Sequence, residues 1–381
     1  MDMAPNPALK PGMGHPLQPP DGLSPDARWA TLAEAAAEPN AFYAPDMLRA
    51  AIDHLRGNAD VRILEAFDGP YLIGLMPVTA MRAHGRLPVA NIANWMHDQC
   101  FFGAPIVARG RERAAWTAFL AQLDQADWAP GFLHMRGLDA AGANAAALEA
   151  VCAAQRRPVR EIGRYDRALL RSDLSAEAYW EANVRAKTRK EIRRLQNRLA
   201  DMGRIESHIL TDAATLPRWC GDFLTLEASG WKGRAGTALS CAPHTAAFFR
   251  AATAAAMAAG RLQFLRIDLD GKAIAMLVNF RHGEGAFSFK IAIDETLGRF
   301  SPGVLIEIDN LRAVLGDPGI AWMDSCAAPD HPMIDSLWGE RRSIVQYRIA
   351  LRGAGYAKMR RSATFAAANL VEGLAARLKE R

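Results

Sequence analysis

Residues 261–293 read RLQFLRIDLDGKAIAMLVNFRHGEGAFSFKIAI. Two turn signals, Asp270-Gly271 and Gly283-Glu284-Gly285, cut the stretch into three apolar runs. The pattern predicts strands over 261–267, 272–280 and 286–293 in an antiparallel meander. Downstream, Val304, Ile308, Leu311 and Leu315 recur at helical spacing before Gly316 and Pro318 stop the run. A further strand over 320–324 then implies a crossover connection.

The first half of the chain has the same grammar. Strands are expected at 61–67 and 71–78 around Asp68-Gly69, followed by a helix at 111–123 and a strand at 132–136. Equivalent turns recur about two hundred positions apart, so we expect two copies of one mixed α/β (α+β) unit. One continuous sheet with accidental turn spacing is the alternative.

The chain has 381 residues, half of them apolar, which is globular composition. No apolar run is long enough to span a bilayer. Five scattered cysteines, without CxxC or Cys/His clustering, argue for reduced, buried thiols and against a metal site. The proline-dense residues 1–27 are expected to be a disordered leader, with no signal-peptide pattern. Residues 356–381 are expected to form a helical tail.

Charge is unevenly placed. The net charge is +5, and residues 180–199 carry seven basic side chains against two acidic ones. Val184, Ile192, Leu195 and Leu199 share a stripe, so the segment reads as one amphipathic helix with a basic outer face. It is either simply solvated or a site for an anionic partner, such as phosphates or a lipid surface. No aromatic residue interleaves the cations, which argues against nucleic acid.

Four places could carry chemistry. In the strand 286–293, strict alternation puts Phe287, Phe289, Ile291 and Ile293 on one face. Ala286, Ser288, Lys290 and Ala292 fall on the other, with Asp294 at the strand's end. Lys290 then points either into a cleft or to solvent. Next, Gly298, Arg299, Phe300, Ser301, Pro302 and Gly303 lead into a helix. Ser301 suits the N-cap and Pro302 the first helical position, and free amides there attract anions. Third, Glu227 ends a helix whose dipole disfavours it, before a glycine-rich loop with Trp231 and Lys232. That loop either closes over a ligand or is pinned by a packed tryptophan. Last, Asp324 ends a strand, His331 sits in a proline-bounded loop, and His97 and Asp98 lie between strands of the first half. No Ser/His/Asp, paired-carboxylate or HExxH pattern is present, which argues against a hydrolase or metalloenzyme.

Together, Pro39-Asn40-Ala41-Phe42-Tyr43, Glu227 through Ala238, Lys290 through Asp294, Ser301-Pro302-Gly303, Asp324-Ser325-Cys326, Asp330-His331 and Trp338 resemble the CelD-like acyltransferases of the GNAT superfamily. The tandem layout also resembles the FemABX peptidyltransferases. The likeness implies two GNAT-like units, each a mostly antiparallel twisted sheet flanked by helices. A degenerate unit over 28–160 would shape the cleft, and a unit over 161–355 would bind acyl-CoA. It implies acetyl-CoA or another acyl-CoA as co-substrate and no metal. The acceptor would be an amino sugar or other amine in cellulose or exopolysaccharide biosynthesis, in the cytoplasm or at the inner membrane. It places the diphosphate at residues 298–303, where Arg299-Phe-Ser-Pro-Gly303 stands for the usual two-glycine loop. The roles implied are Glu227 as base with Asp324 in reserve, Lys290 holding an acceptor anion or polarising the carbonyl, and Trp231 facing a sugar ring. Lys232, Asp294, His331, His97 and Asp98 complete the substrate side. Transfer from aminoacyl-tRNA, or a non-catalytic scaffold in a polysaccharide assembly complex, are the alternatives.

Overall fold

The computed structural model describes residues 24–85 and 88–379. Its twelve strands among these residues are β1 (Val61–Asp68), β2 (Tyr71–Met81), β3 (Asn91–Asn94), β4 (Ile106–Val107), β5 (Phe132–Asp139), β6 (Val159–Leu170), β7 (Ile205–Ile209), β8 (Leu262–Leu269), β9 (Lys272–His282), β10 (Gly285–Ile293), β11 (Trp322–Asp324) and β12 (Glu340–Ala350). All join one sheet, in the order β1-β2-β3-β5-β12-β6-β11-β10-β9-β8-β7, with β4 added beside β2.

The two halves are both present and fused. Each contains an antiparallel hairpin, β1–β2 or β8–β9, closed at an Asp-Gly turn. Asp270 and Gly271 both take positive φ, 50° and 77°, which the glycine makes cheap. Each half also makes one parallel crossover. The helix Glu112–Gln125 carries β3 to β5, and the helix Pro302–Leu315 carries β10 to β11. The fusion is an exchange: β12, from the second half, pairs with β5 of the first, and β6, from the first, pairs with β11 of the second. β6 and β12 then pair with each other along a long antiparallel ladder. The boundary expected at 160/161 falls inside β6.

Packing follows the pattern of each strand. On one face, Phe223 stacks on Phe249 at 5.0 Å and both meet Phe264, tying the helices Leu216–Ser229 and Pro243–Ala258 to β8. Each such buried aromatic contributes about 1.5–3 kcal/mol. On the opposite face Leu265, Ile267, Leu277, Ile291 and Ile293 receive Ile306 of the helix Pro302–Leu315 and Leu199 of the basic helix.

Three expectations are corrected here. The basic segment is two helices, Ala176–Asn183 and Ala186–Ala200, not one. Val184 is extended and buried beside Tyr179, which breaks the run, and the Arg189 guanidinium donates to the carbonyls of Glu181 and Val184, both at 2.7 Å. The cysteines are free, but Cys241 is exposed rather than buried. Most of the proline-dense leader lies outside the described residues. Its described part, from Ser24, opens the helix Pro25–Glu34, with the Ser24 hydroxyl accepting from the Ala27 amide at 3.3 Å.

Candidate functional site

β10 and β11 pair in parallel over only three residues, Gly285 to Phe287 against Trp322 to Asp324. Just beyond, the register of β10 against β9 shifts between Ser288 and Lys290, so Phe289 is the extra residue of a β-bulge. The bulge overturns the alternation read from the sequence. Lys290 lies opposite Val278 and shares the face of Phe287 and Phe289, while Ile291 and Ile293 belong to the other core. The pairing of β10 with β11 thus ends before Lys290, and β10 runs on past the end of β11.

Lys290 is partly exposed, with its ammonium 5.6 Å from the Phe101 ring and 5.7 Å from the Phe289 ring. Burial, reinforced by Lys232 nearby, lowers its pKa to about 8, against the pull of Glu227 and Asp98. Phe101 is brought there from the first half. The Asn40 side-chain amide holds the loop by donating to the carbonyls of Phe102 (3.2 Å) and Ala104 (2.6 Å), and Phe42 packs edge-on against both Phe101 and Phe287. The Pro39–Tyr43 motif therefore props the wall of the cleft.

Glu227, Lys232, Lys290 and Asp98 do come together. Glu227 is buried and fully engaged: one oxygen accepts from the Lys232 ammonium at 3.0 Å, the other from the Leu239 amide at 2.8 Å. Lys232 also donates to the Ile291 carbonyl of β10 at 3.2 Å. Trp231 is not packed but 60% exposed, with its amide donating to Glu295 at 2.6 Å and its carbonyl accepting from the Ala235 amide at 2.8 Å. Its ring is free to meet a ligand.

His97 and Asp98 line a pocket of about 280 Å³ with Arg56 and Trp95 of the first half and His244 and Thr245 of the second. Burial lowers the His97 pKa to about 4, so its imidazole is neutral. It lies against Trp95 and Phe248, with Nδ1 accepting from the Gln99 amide at 3.2 Å.

Asp324 sits in the floor. Burial opposes its charge, but Arg167 at 2.6 Å and Arg342 at 3.0 Å outweigh that and hold its carboxyl below the usual range. The Cys326 amide fills its other oxygen at 2.9 Å. Arg167 and Arg342, the latter also bound to Asp139 at 2.8 Å, carried no sequence signal, because they come from β6 and β12, the exchanged strands. Asp294 turns elsewhere, lining a separate hollow with Lys272 and Glu295 and accepting from Thr296.

At the helix start, Gly298 faces open space. Ser301 is at the N-cap position, but in the left-handed region (φ 54°), and its hydroxyl caps nothing. Its carbonyl instead accepts from the amides of Val304 (2.9 Å) and Leu305 (3.2 Å). Since Pro302 has no N–H and Gly303 is buried, the first turn does not present the amide cluster expected for an anion. Gly303 lies against Ile291, Ile293 and Met333, so the loop carrying His331 closes this corner. Arg299 covers the Phe300 ring at 4.7 Å. Further cations stand alongside: Ile192 and Leu199 of the basic helix share a core with Leu297 and Phe300 of this turn, leaving Lys187, Lys190, Arg193 and Arg198 exposed. The open side of Gly298 and the flanking cations fit the phosphates of a nucleotide-bearing donor, whereas the buried Gly303 does not. Among the described residues, no group of three or more His, Cys, Asp or Glu could hold a metal.

Residues 186–331 match the Acetyltransferase (GNAT) domain family. Among solved structures, a conserved protein of unknown function from Bacteroides thetaiotaomicron superposes with a TM-score of 0.56 at 12% identity, covering 88% of this chain and 99% of that one. FemX superposes with a TM-score of 0.53 at 9% identity, covering 85% and 96%. These likenesses are of fold. No curated protein matches the sequence.

Proposed function

We propose that this chain, a member of the GNAT superfamily, transfers an acyl group from an acyl-CoA thioester directly to an amine. The observation that carries the reading is that β10 has no β11 partner beyond Phe287, so the segment that bears Lys290 runs on past the end of β11. A thioester arm lying along it can pair with the β10 edge. Its phosphates then reach the open side of Gly298 and the cations of the Ala186–Ala200 helix.

The acceptor enters through the pocket between the halves, where Asp98 attracts its ammonium. About 280 Å³ accommodates one sugar ring, which supports an amino sugar as acceptor, as in exopolysaccharide assembly. Neutral Lys290 takes the proton, because a base titrating near the working pH transfers protons most efficiently. The amine nitrogen attacks the carbonyl carbon, the C–N bond forms, the C–S bond breaks, and the thiolate leaves as the thiol on regaining a proton. Binding both reactants supplies the in-line geometry. Glu227 acts at one remove, through Lys232 and the β10 carbonyl, and Asp324 anchors the floor between two arginines.

The test is incubation with acetyl-CoA and glucosamine, reading N-acetylglucosamine and free thiol. Acetyl-CoA at a hundred times its dissociation constant stabilises the fold by about 2.7 kcal/mol. Thermal stabilisation by aminoacyl-tRNA, and by no acyl-CoA, replaces this donor with the aminoacyl-tRNA one. The likeness to FemX and the basic helix keep that arm in the experiment.

A further inference from the structure

The last described helix, Gly355–Lys379, is built inside out. Its inner side is polar and firmly held: the buried Arg361 guanidinium donates to the carbonyls of Asp124, Ala126 and Ala129, each at 2.8 Å. Phe365 meets Phe132, and Ala368 is buried. The outer side is apolar. Tyr356, Met359 and Leu370 are 76%, 66% and 66% exposed, with exposed Ala363, Ala366 and Ala367 between them. These positions recur at three- and four-residue steps, so they form one stripe pointing away from the protein.

Cations flank the stripe. Lys358 and Arg360 stand exposed near its start. A second copy of this helix laid on the stripe in parallel sets these cations against each other. An anionic bilayer surface meets both demands, taking up the apolar side chains and drawing the cations to its headgroups. No described helix is long and apolar enough to cross a membrane, so the geometry is one of lying on the surface.

We propose that the Gly355–Lys379 helix docks this protein onto an anionic lipid surface, with Tyr356, Met359 and Leu370 in the headgroup–acyl boundary. At 1.5 Å per residue its 25 residues span about 37 Å along the interface. The docking is independent of which acyl donor the protein uses.

Flotation with extruded vesicles tests it. The full chain should float with vesicles of phosphatidylcholine and phosphatidylglycerol, and not with phosphatidylcholine alone. The triple substitution Tyr356→Ser, Met359→Ser, Leu370→Ser leaves every charge in place and should weaken flotation by about tenfold or more. Its thermal midpoint should not move, because the three side chains are exposed. Leu370→Trp should keep flotation and shift its fluorescence to the blue on vesicles. No flotation at low salt overturns the proposal. So does equal flotation of the triple variant, which would assign binding to the Ala186–Ala200 helix. A dimer in solution that the serine substitutions dissolve overturns it as well, in favour of a second copy.

Discussion

The Lys232 ammonium lies 3.0 Å from a Glu227 carboxylate oxygen and also donates to the β10 main chain at Ile291. The pair ties the glycine-rich loop to the bulged strand. Glu227→Ala removes the anion and leaves the Leu239 amide unpaired, so it should lower stability by about 2–3 kcal/mol in urea titration. Glu227→Gln keeps one acceptor oxygen for one of the two donors and loses the other bond. It should keep most turnover. Loss of turnover at unchanged stability would restore Glu227 as the base.

Lys290 titrates near 8 because its ammonium is desolvated beside two aromatic rings. Turnover should therefore rise with pH and level off above about 8, as the neutral amine accumulates. Lys290→Met should lower kcat by about a hundredfold and abolish that limb. A pH profile unchanged in the variant would assign the proton to another group.

Asp324 balances two buried guanidiniums. Asp324→Asn leaves Arg167 and Arg342 facing a neutral amide, a loss of about 3–5 kcal/mol. The same pairing predicts acid lability. The carboxyl is held below its ordinary range, so its contribution is present above the unfolded value of 3.8 and fades as pH falls below it. Thermal midpoints from neutral to acidic pH, wild type against variant, check both statements.

Glu307 behaves oppositely. It is buried in the helix Pro302–Leu315, and burial raises its pKa to about 7, although the Asn310 amide donating at 3.1 Å opposes the rise. A raised carboxyl favours folding fully below the unfolded value of 4.5, and that advantage is lost as pH rises through about 7. Glu307→Gln, which can still accept from Asn310, should stabilise the protein by about 1–3 kcal/mol at about pH 8 and change little in acid. An equal shift at both pH values would sink the explanation.

The exposed cations of the Ala186–Ala200 helix flank the turn at residues 298–303 that we propose binds the donor. Lys187→Glu with Lys190→Glu should raise the KM for acyl-CoA about tenfold and leave kcat intact, with the wild-type affinity falling as salt increases. Salt-insensitive binding would remove the helix from the donor site.

Local pattern sufficed for much of this protein. Alternating apolar runs between Asp-Gly and Gly-Glu-Gly turns specify the meanders, because a strand's faces and a turn's positive φ are properties of a few adjacent residues. The residues after them specify the crossover helices, and the clustered arginines and lysines specify the basic face. Glu227, Lys232, Lys290 and Asp98 were also legible as candidates, from a helix end, a glycine-rich loop, a strand face and a segment between strands. What they do to one another was not. The bulge at Phe289, which moves Lys290 to the other face, depends on how β10 sits against β9 and leaves β11. The helix break at Val184 goes with its burial in a core that also holds Ala286, Leu311 and Met323, far along the chain. The partners of Asp324 come from β6 and β12, whose exchange between halves no local signal records. Pairings more than a hundred and fifty positions apart, like Arg167 with Asp324, are decided by which surfaces bury together. Burial then sets the charges: only the folded surroundings strip water from Lys290 and lower its pKa.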